Sequence, residues 1–175
     1  MRRHSTTTGA ALALAALALA AGALAAGALA AGALAAGAPA LAPAAHAVTP
    51  ATATISADCG GFGSGRGTLT ATQSGTAVTF TVTSAAITAP VSLGKDTVTS
   101  TLTLVKAGGG TVAFTGRANP AMAAGAPVEV GPLRGTVAPG DRLEAHGGSL
   151  RLTAFGLTAT CTAAGPQSPG PFVFD

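Results

Sequence analysis

The chain has 175 residues, of which 48% are hydrophobic, 9% charged and 3% aromatic, with two cysteines and neither Trp nor Tyr. Arg2 and Arg3 sit at the start, so after residue 47 seven Lys and Arg face six Asp and Glu, a net charge of about +1. That balance leaves no basic footprint for nucleic acid, and the missing Trp and Tyr remove the amphipathic platforms that sugar-binding surfaces use.

The first quarter is a different material from the rest. Met1–His4 is a short basic start, and Ala10 to about Ala42 is almost all Ala, Leu and Gly. Pro43-Ala44-Ala45-His46-Ala47 then supplies the small residues Ala45 and Ala47, the A-x-A pattern that precedes cleavage. Together these predict a secretory signal peptide over 1–47. Within it Gly22, Gly27, Gly32 and Gly37 recur every five residues. Five residues advance a helix by about 500°, so the glycines form no single face and read as an expanded repeat that sets segment length. An apolar run of about 30 residues could also span a bilayer, so an uncleaved N-terminal anchor is the alternative, and the only route to a membrane partner.

Residues 48–175 are expected to form one secreted domain, extracellular or in the cell envelope. Thr, Val and Ala dominate, broken by Gly and Pro every eight to twelve residues, a spacing that points to a β-sandwich or barrel rather than βαβ units. An opening strand carries Ile55, Ala57 and Cys59 in one phase. It meets Asp58-Cys59-Gly60-Gly61-Phe62-Gly63-Ser64-Gly65-Arg66-Gly67, whose glycines are spaced by two and are followed by β-prone residues. A phosphate loop needs a helix after it, so this stretch is predicted to be a turn beside a half-cystine. Phe62, Ser64 and Arg66 could line a ligand-binding rim there.

Leu69 and Ala71, then Val78, Phe80 and Val82, alternate with threonines on either side of Gln73-Ser74-Gly75, which predicts a hairpin. Thr97–Lys106 and Thr111–Arg117 form a second strand pair around Gly108-Gly109-Gly110. Pro120, Pro127, Pro132 and Pro139 lack ladder donors, so any strand from Asn119 to Pro139 belongs at an edge or between loops. Asp141–His146 reads as a loop. From Ser149 to Thr162 the apolar phase changes between Leu150, Leu152 and Ala154 and the set Phe155, Leu157, Ala159 and Cys161. A one-residue slip of that kind predicts a β-bulge near Ala154–Gly156. The chain ends on Phe172-Val173-Phe174-Asp175 after a Pro/Gly-rich arm. That tail either packs as a half-strand on its own sheet or adds to a sheet edge on a partner.

Cys59 and Cys161 both fall on core phases of an exported chain, which makes their pairing the expected state. No metal or other cofactor is expected: two cysteines and His146 leave a zinc site one ligand short. Catalysis is not expected either. The alternative is a secreted hydrolase or inhibitor using the Asp141–His146 segment, with His146 as base and Asp141 or Glu144 as orienter. The "CGGFGSG" start, "NPAMAAGAP" at Asn119–Pro127, "GTVAPGD" at Gly135–Asp141 and the "SPGPFVFD" ending resemble uncharacterised secreted β-sandwich proteins of actinobacteria. The resemblance implies a single immunoglobulin-like antiparallel sandwich of about seven to nine short strands and brings no catalytic residue. The function expected is binding to an unidentified protein or envelope component, or a structural role.

Overall fold

The computed structural model describes residues 47–175; the predicted leader, its repeat and the cleavage site up to His46 lie outside the described residues. Nine strands follow in chain order: β1 (Thr52–Asp58), β2 (Ser64–Ser74), β3 (Ala77–Thr88), β4 (Thr99–Lys106), β5 (Thr111–Gly116), β6 (Pro127–Thr136), β7 (Arg142–Ala154), β8 (Leu157–Ala163) and β9 (Phe172–Val173). Every pairing is antiparallel. The order is β4-β5-β6-β3-β2-β1-β8-β7, and β7 pairs back onto β4 from Thr99↔Thr153 to Lys106↔Leu143. The sheet therefore closes on itself. This is an eight-stranded barrel, which corrects the expected immunoglobulin-like sandwich. Period-two alternation places apolar residues on one face of a strand in either architecture, and it carries no information on whether the outermost strands meet.

The pattern itself holds. Leu69, Ala71, Val78, Phe80 and Val82 face the interior, while Thr68, Thr70, Thr79, Thr81 and Thr83 face outward. The first hairpin forms in the expected place, with Leu69 opposite Val82 and Ala71 opposite Phe80. Gly75 takes φ +59° at the first turn position, as a type II′ hairpin demands. Close approach across the closing seam needs Gly148, because a Cβ there would strike the carbonyl oxygen of Thr103 on β4.

Three local expectations are corrected. The proline-rich segment does not make an edge strand, since β6 pairs with β3 on one side and β5 on the other. Pro132 is accommodated because it sits in a bulge between the pairs Phe80↔Leu133 and Val82↔Val130, where no ladder donor is required. The Asp141–His146 segment is not a loop, because β7 begins at Arg142. The phase change in Ser149–Thr162 is not a bulge but a two-residue turn, Phe155-Gly156, between β7 and β8. Extra residues of β7 fall instead between His146 and Leu150.

The two ends of the barrel are filled differently. At one end the C-terminal segment lies between β1 and β7. Thr54 and Ser168 exchange backbone hydrogen bonds, as do Thr49 and Val173, and the Gln167 side-chain oxygen accepts from the Ala145 N–H at 2.8 Å. Phe172 and Phe174 are fully buried. The Phe80 ring meets those of Phe114 and Phe172 edge to face, with centroids 4.7 and 5.1 Å apart. This end is an aromatic plug.

Candidate functional site

The other end is closed by loops instead of rings. The β1–β2 connection is a single 3-10 turn, Gly60–Phe62, after which Gly63 takes φ +101°. Asp58 Oδ1 accepts from the Gly60 N–H at 2.8 Å, which sets the turn, and the stretch is a hairpin connection with no helix after it. Two longer connections, residues 89–98 and 117–126, pair across the opening through Leu93 and Met122. Buried Asn119 ties them: its Oδ1 accepts from the Val98 N–H at 2.9 Å, and its Nδ2 donates to the Gly94 and Pro120 carbonyls. The β7–β8 turn completes the rim.

Under these loops lies an apolar cavity of about 100 Å³, walled by side chains such as Ile87, Leu93, Val98, Met122, Val130 and Leu152. Thr88 is the one polar side chain on its wall, and no charged residue lines it. Four large apolar side chains are exposed among the described residues: Phe62 at 39%, Val91 at 48%, Leu157 at 67% and Phe155 at 71%. All four line this one cavity. Single exposed hydrophobes are ordinary, but four gathered round one opening form a patch of the kind that marks a binding site.

Phe155 breaks two rules at once. Its φ is +51° and that of the next residue, Gly156, is +76°, the type I′ pair that Asn-Gly usually fills. A bulky residue in the left-handed region costs about 1–2 kcal/mol, and here its ring gains little burial in return. Such a local conflict is characteristic of a functional position.

A second cavity of about 50 Å³ adjoins the first and is the inner of the two in its lining: buried Leu69, Val82, Leu102 and Ala145 are on its wall, and none of the four exposed apolar side chains is. It shares Cys59, Ile87, Val128, Leu152 and Cys161 with the outer one, so these five residues form the partition between them. Cys59 and Cys161 are joined in a disulfide. Ala57, Cys59, Ile87 and Cys161 make a small apolar cluster separate from the main core, and Cys59, Ile87 and Cys161 of that cluster belong to the partition.

Of the proposed rim, Phe62 is at the mouth. Ser64 and Arg66 are exposed, alternate with the inward positions Gly65 and Gly67, and line neither cavity. The structure does not bring the three together. Val91, Phe155 and Leu157, which sequence reasoning did not place there, complete the mouth. The phase change at Phe155-Gly156 was the available signal, since a turn explains it as well as a bulge does. In the tail, Phe172 and Phe174 are in the core and Val173 is half-buried.

Asp141 and His146 are also kept apart. Five residue steps of extended chain, residues 142–146 being in β7, separate them by about 16 Å. His146 Nδ1 lies 3.2 Å from the Ala163 carbonyl oxygen, and Glu144 Oε2 is buried without a partner. Asp141 accepts from Lys106 Nζ at 2.9 and 3.0 Å and from the Ala138 N–H at 2.9 Å. The Lys106 hydrogen bond, helped by the Ala138 N–H, holds the Asp141 carboxyl below its ordinary range, with slight burial opposing it. The pair therefore stabilises the fold above pH about 4, and that contribution disappears as pH falls through the depressed folded value. Asp141→Asn is expected to lower stability at pH 7 by about 1–2 kcal/mol. In denaturant titrations from pH 7 to pH 2, the gap between variant and wild type should close at the acid end.

No group of three or more His, Cys, Asp or Glu among the described residues converges for a metal ion. No protein-family model, no curated protein and no solved structure matches this chain.

Proposed function

We propose that the domain is an exported, non-catalytic binding module whose barrel mouth takes an apolar ligand. The observation that carries this is the convergence of Phe62, Val91, Phe155 and Leu157 on one uncharged cavity. Eight strands enclose a space just wide enough for side chains or for one small ligand, and here the mouth end is left underfilled while the far end is packed with rings. The oxidised Cys59–Cys161 pair supports an extracytoplasmic setting. A hydrolase using His146 receives no support from the geometry, because Asp141 is engaged by Lys106 at a distance from it, and His146 Nδ1 faces the Ala163 carbonyl oxygen instead of Glu144, whose Oε2 has no partner.

Nile red, a neutral dye that fluoresces in apolar surroundings, tests this. Wild type is expected to bind it saturably at one site. The double variant Phe155→Asn, Leu157→Ser should bind at least about tenfold more weakly while its thermal midpoint is unchanged or raised, since both side chains are exposed and Asn tolerates the left-handed backbone of position 155. Equal binding by both proteins, or none by wild type, would contradict the reading.

A further inference from the structure

Ligand pockets that engulf a whole small molecule measure about 300–1,000 Å³. The outer cavity here holds about 100 Å³ and the inner one about 50 Å³. An apolar cavity of about 150 Å³ in another protein holds a single benzene. Only part of any larger ligand can therefore be enclosed, and the remainder must lie across Phe155 and Leu157 or in water.

Shape narrows the class further. The two cavities adjoin, with Ile87, Val128, Leu152 and the Cys59–Cys161 bridge as the shared wall. A slender group can pass such a partition by small rotations of Ile87 and Leu152, whereas a compact ring system stops at it. Charge narrows it again. No Lys, Arg, His, Asp or Glu lines either cavity, so a charged group gains nothing by entering and would lose its hydration.

Building on the mouth reading above, we infer that the site captures the end of a linear aliphatic chain, such as an acyl or alkyl tail, whose polar head stays outside. The terminal carbons cross the partition into the inner cavity, and the following methylenes fill the outer one. Each methylene moved out of water strengthens binding about fourfold until the enclosed space is full.

Gly67 provides the means of testing the depth of entry. It lines the inner cavity, its φ is not in the left-handed region, and an added Cβ would meet Ile55 and the Thr83 carbonyl oxygen at 3.6 Å, ordinary contact. Gly67→Ala should therefore fold, which its thermal midpoint verifies, and it removes about one carbon's worth of inner space. The probes are 1-octanol and its compact counterpart cyclooctanol, each titrated into methyl-labelled wild type and variant. In wild type 1-octanol is expected to shift the methyl signals of Leu69 and Leu102, which line only the inner cavity, as well as those of Leu93 and Met122, which line only the outer. Cyclooctanol should shift the outer pair alone. Gly67→Ala should weaken 1-octanol about fourfold and leave cyclooctanol unchanged.

If 1-octanol leaves Leu69 and Leu102 unmoved and binds both proteins equally while Nile red still binds, the chain-end inference is overturned and the mouth site stands. If Nile red and both alcohols fail to bind wild type, the mouth site itself falls and this inference with it.

Discussion

Truncating the two C-terminal rings should cost more stability than any other surface-to-core change near a chain end. Phe172→Ala and Phe174→Ala are each expected to lower unfolding free energy by about 3–5 kcal/mol, the usual range for a fully buried Phe. Both side chains have no exposed surface, and Phe172 stacks edge to face on Phe80, which in turn meets Phe114. The loss goes beyond the rings. β1 and β8 share only the pairs Ala57↔Ala163 and Asp58↔Thr162, and the tail supplies the hydrogen bonds that continue this seam. Gln73 Nε2 also donates to the backbone oxygen of Asp175, at 2.8 Å. A domain of this size commonly has about 5–15 kcal/mol in total, so the double variant, or deletion of residues 172–175, should leave it unfolded at 25 °C. Urea titrations followed by far-ultraviolet circular dichroism measure this directly. A truncated domain that keeps wild-type stability would mean the tail is an independent arm.

Reducing the disulfide should have the second largest effect, and its consequences should concentrate at the mouth. The bridge spans a sequence separation of 102 residues, so in the chain-entropy model it is worth up to roughly 4–5 kcal/mol. The local context adds to that. The two half-cystines belong to a four-residue cluster with cavities on both sides, so few neighbouring contacts remain to hold β1 and β8 together near Ala57 and Thr162 once the bond is gone. Wild type with reductant, and a Cys59→Ser, Cys161→Ser variant without it, should both lose about 2–5 kcal/mol in denaturant titrations. Nile red binding should weaken in parallel, because Cys59 and Cys161 line the outer cavity. Unchanged stability after reduction would show that the barrel does not rely on the bridge.

Much of this is legible in the residues, down to particular side chains. The alternation of Val78, Phe80 and Val82 with threonines gives the inward face of β3, and the shared phase of Cys59 with Ile55 and Ala57 anticipates the disulfide. What is not legible is any property that depends on which strands meet. Nothing in β4 or β7 alone says that Leu102 lies opposite Leu150, and that pairing separates a barrel from a sandwich. Pro132 misleads for a related reason. Its missing donor excludes a ladder position but not a bulge, and only the register of β3 against β6 reveals one. The mouth was hidden for a third reason. Of its four exposed residues Phe62 alone is expected at a rim; Val91, Phe155 and Leu157 are scattered over 67 positions, and each looks like a core residue until the structure leaves it exposed.

Closure of the barrel underlies the plug, the mouth and the cavities alike, and amide hydrogen exchange along the β4–β7 seam tests it most directly. With the seam formed, amides on both edges of β4 and of β7 are hydrogen-bonded, so the whole of Thr99–Lys106 should exchange slowly. Slow exchange on the β5-facing amides of β4 with fast exchange on those facing β7 would leave an open edge, and would contradict the closed barrel.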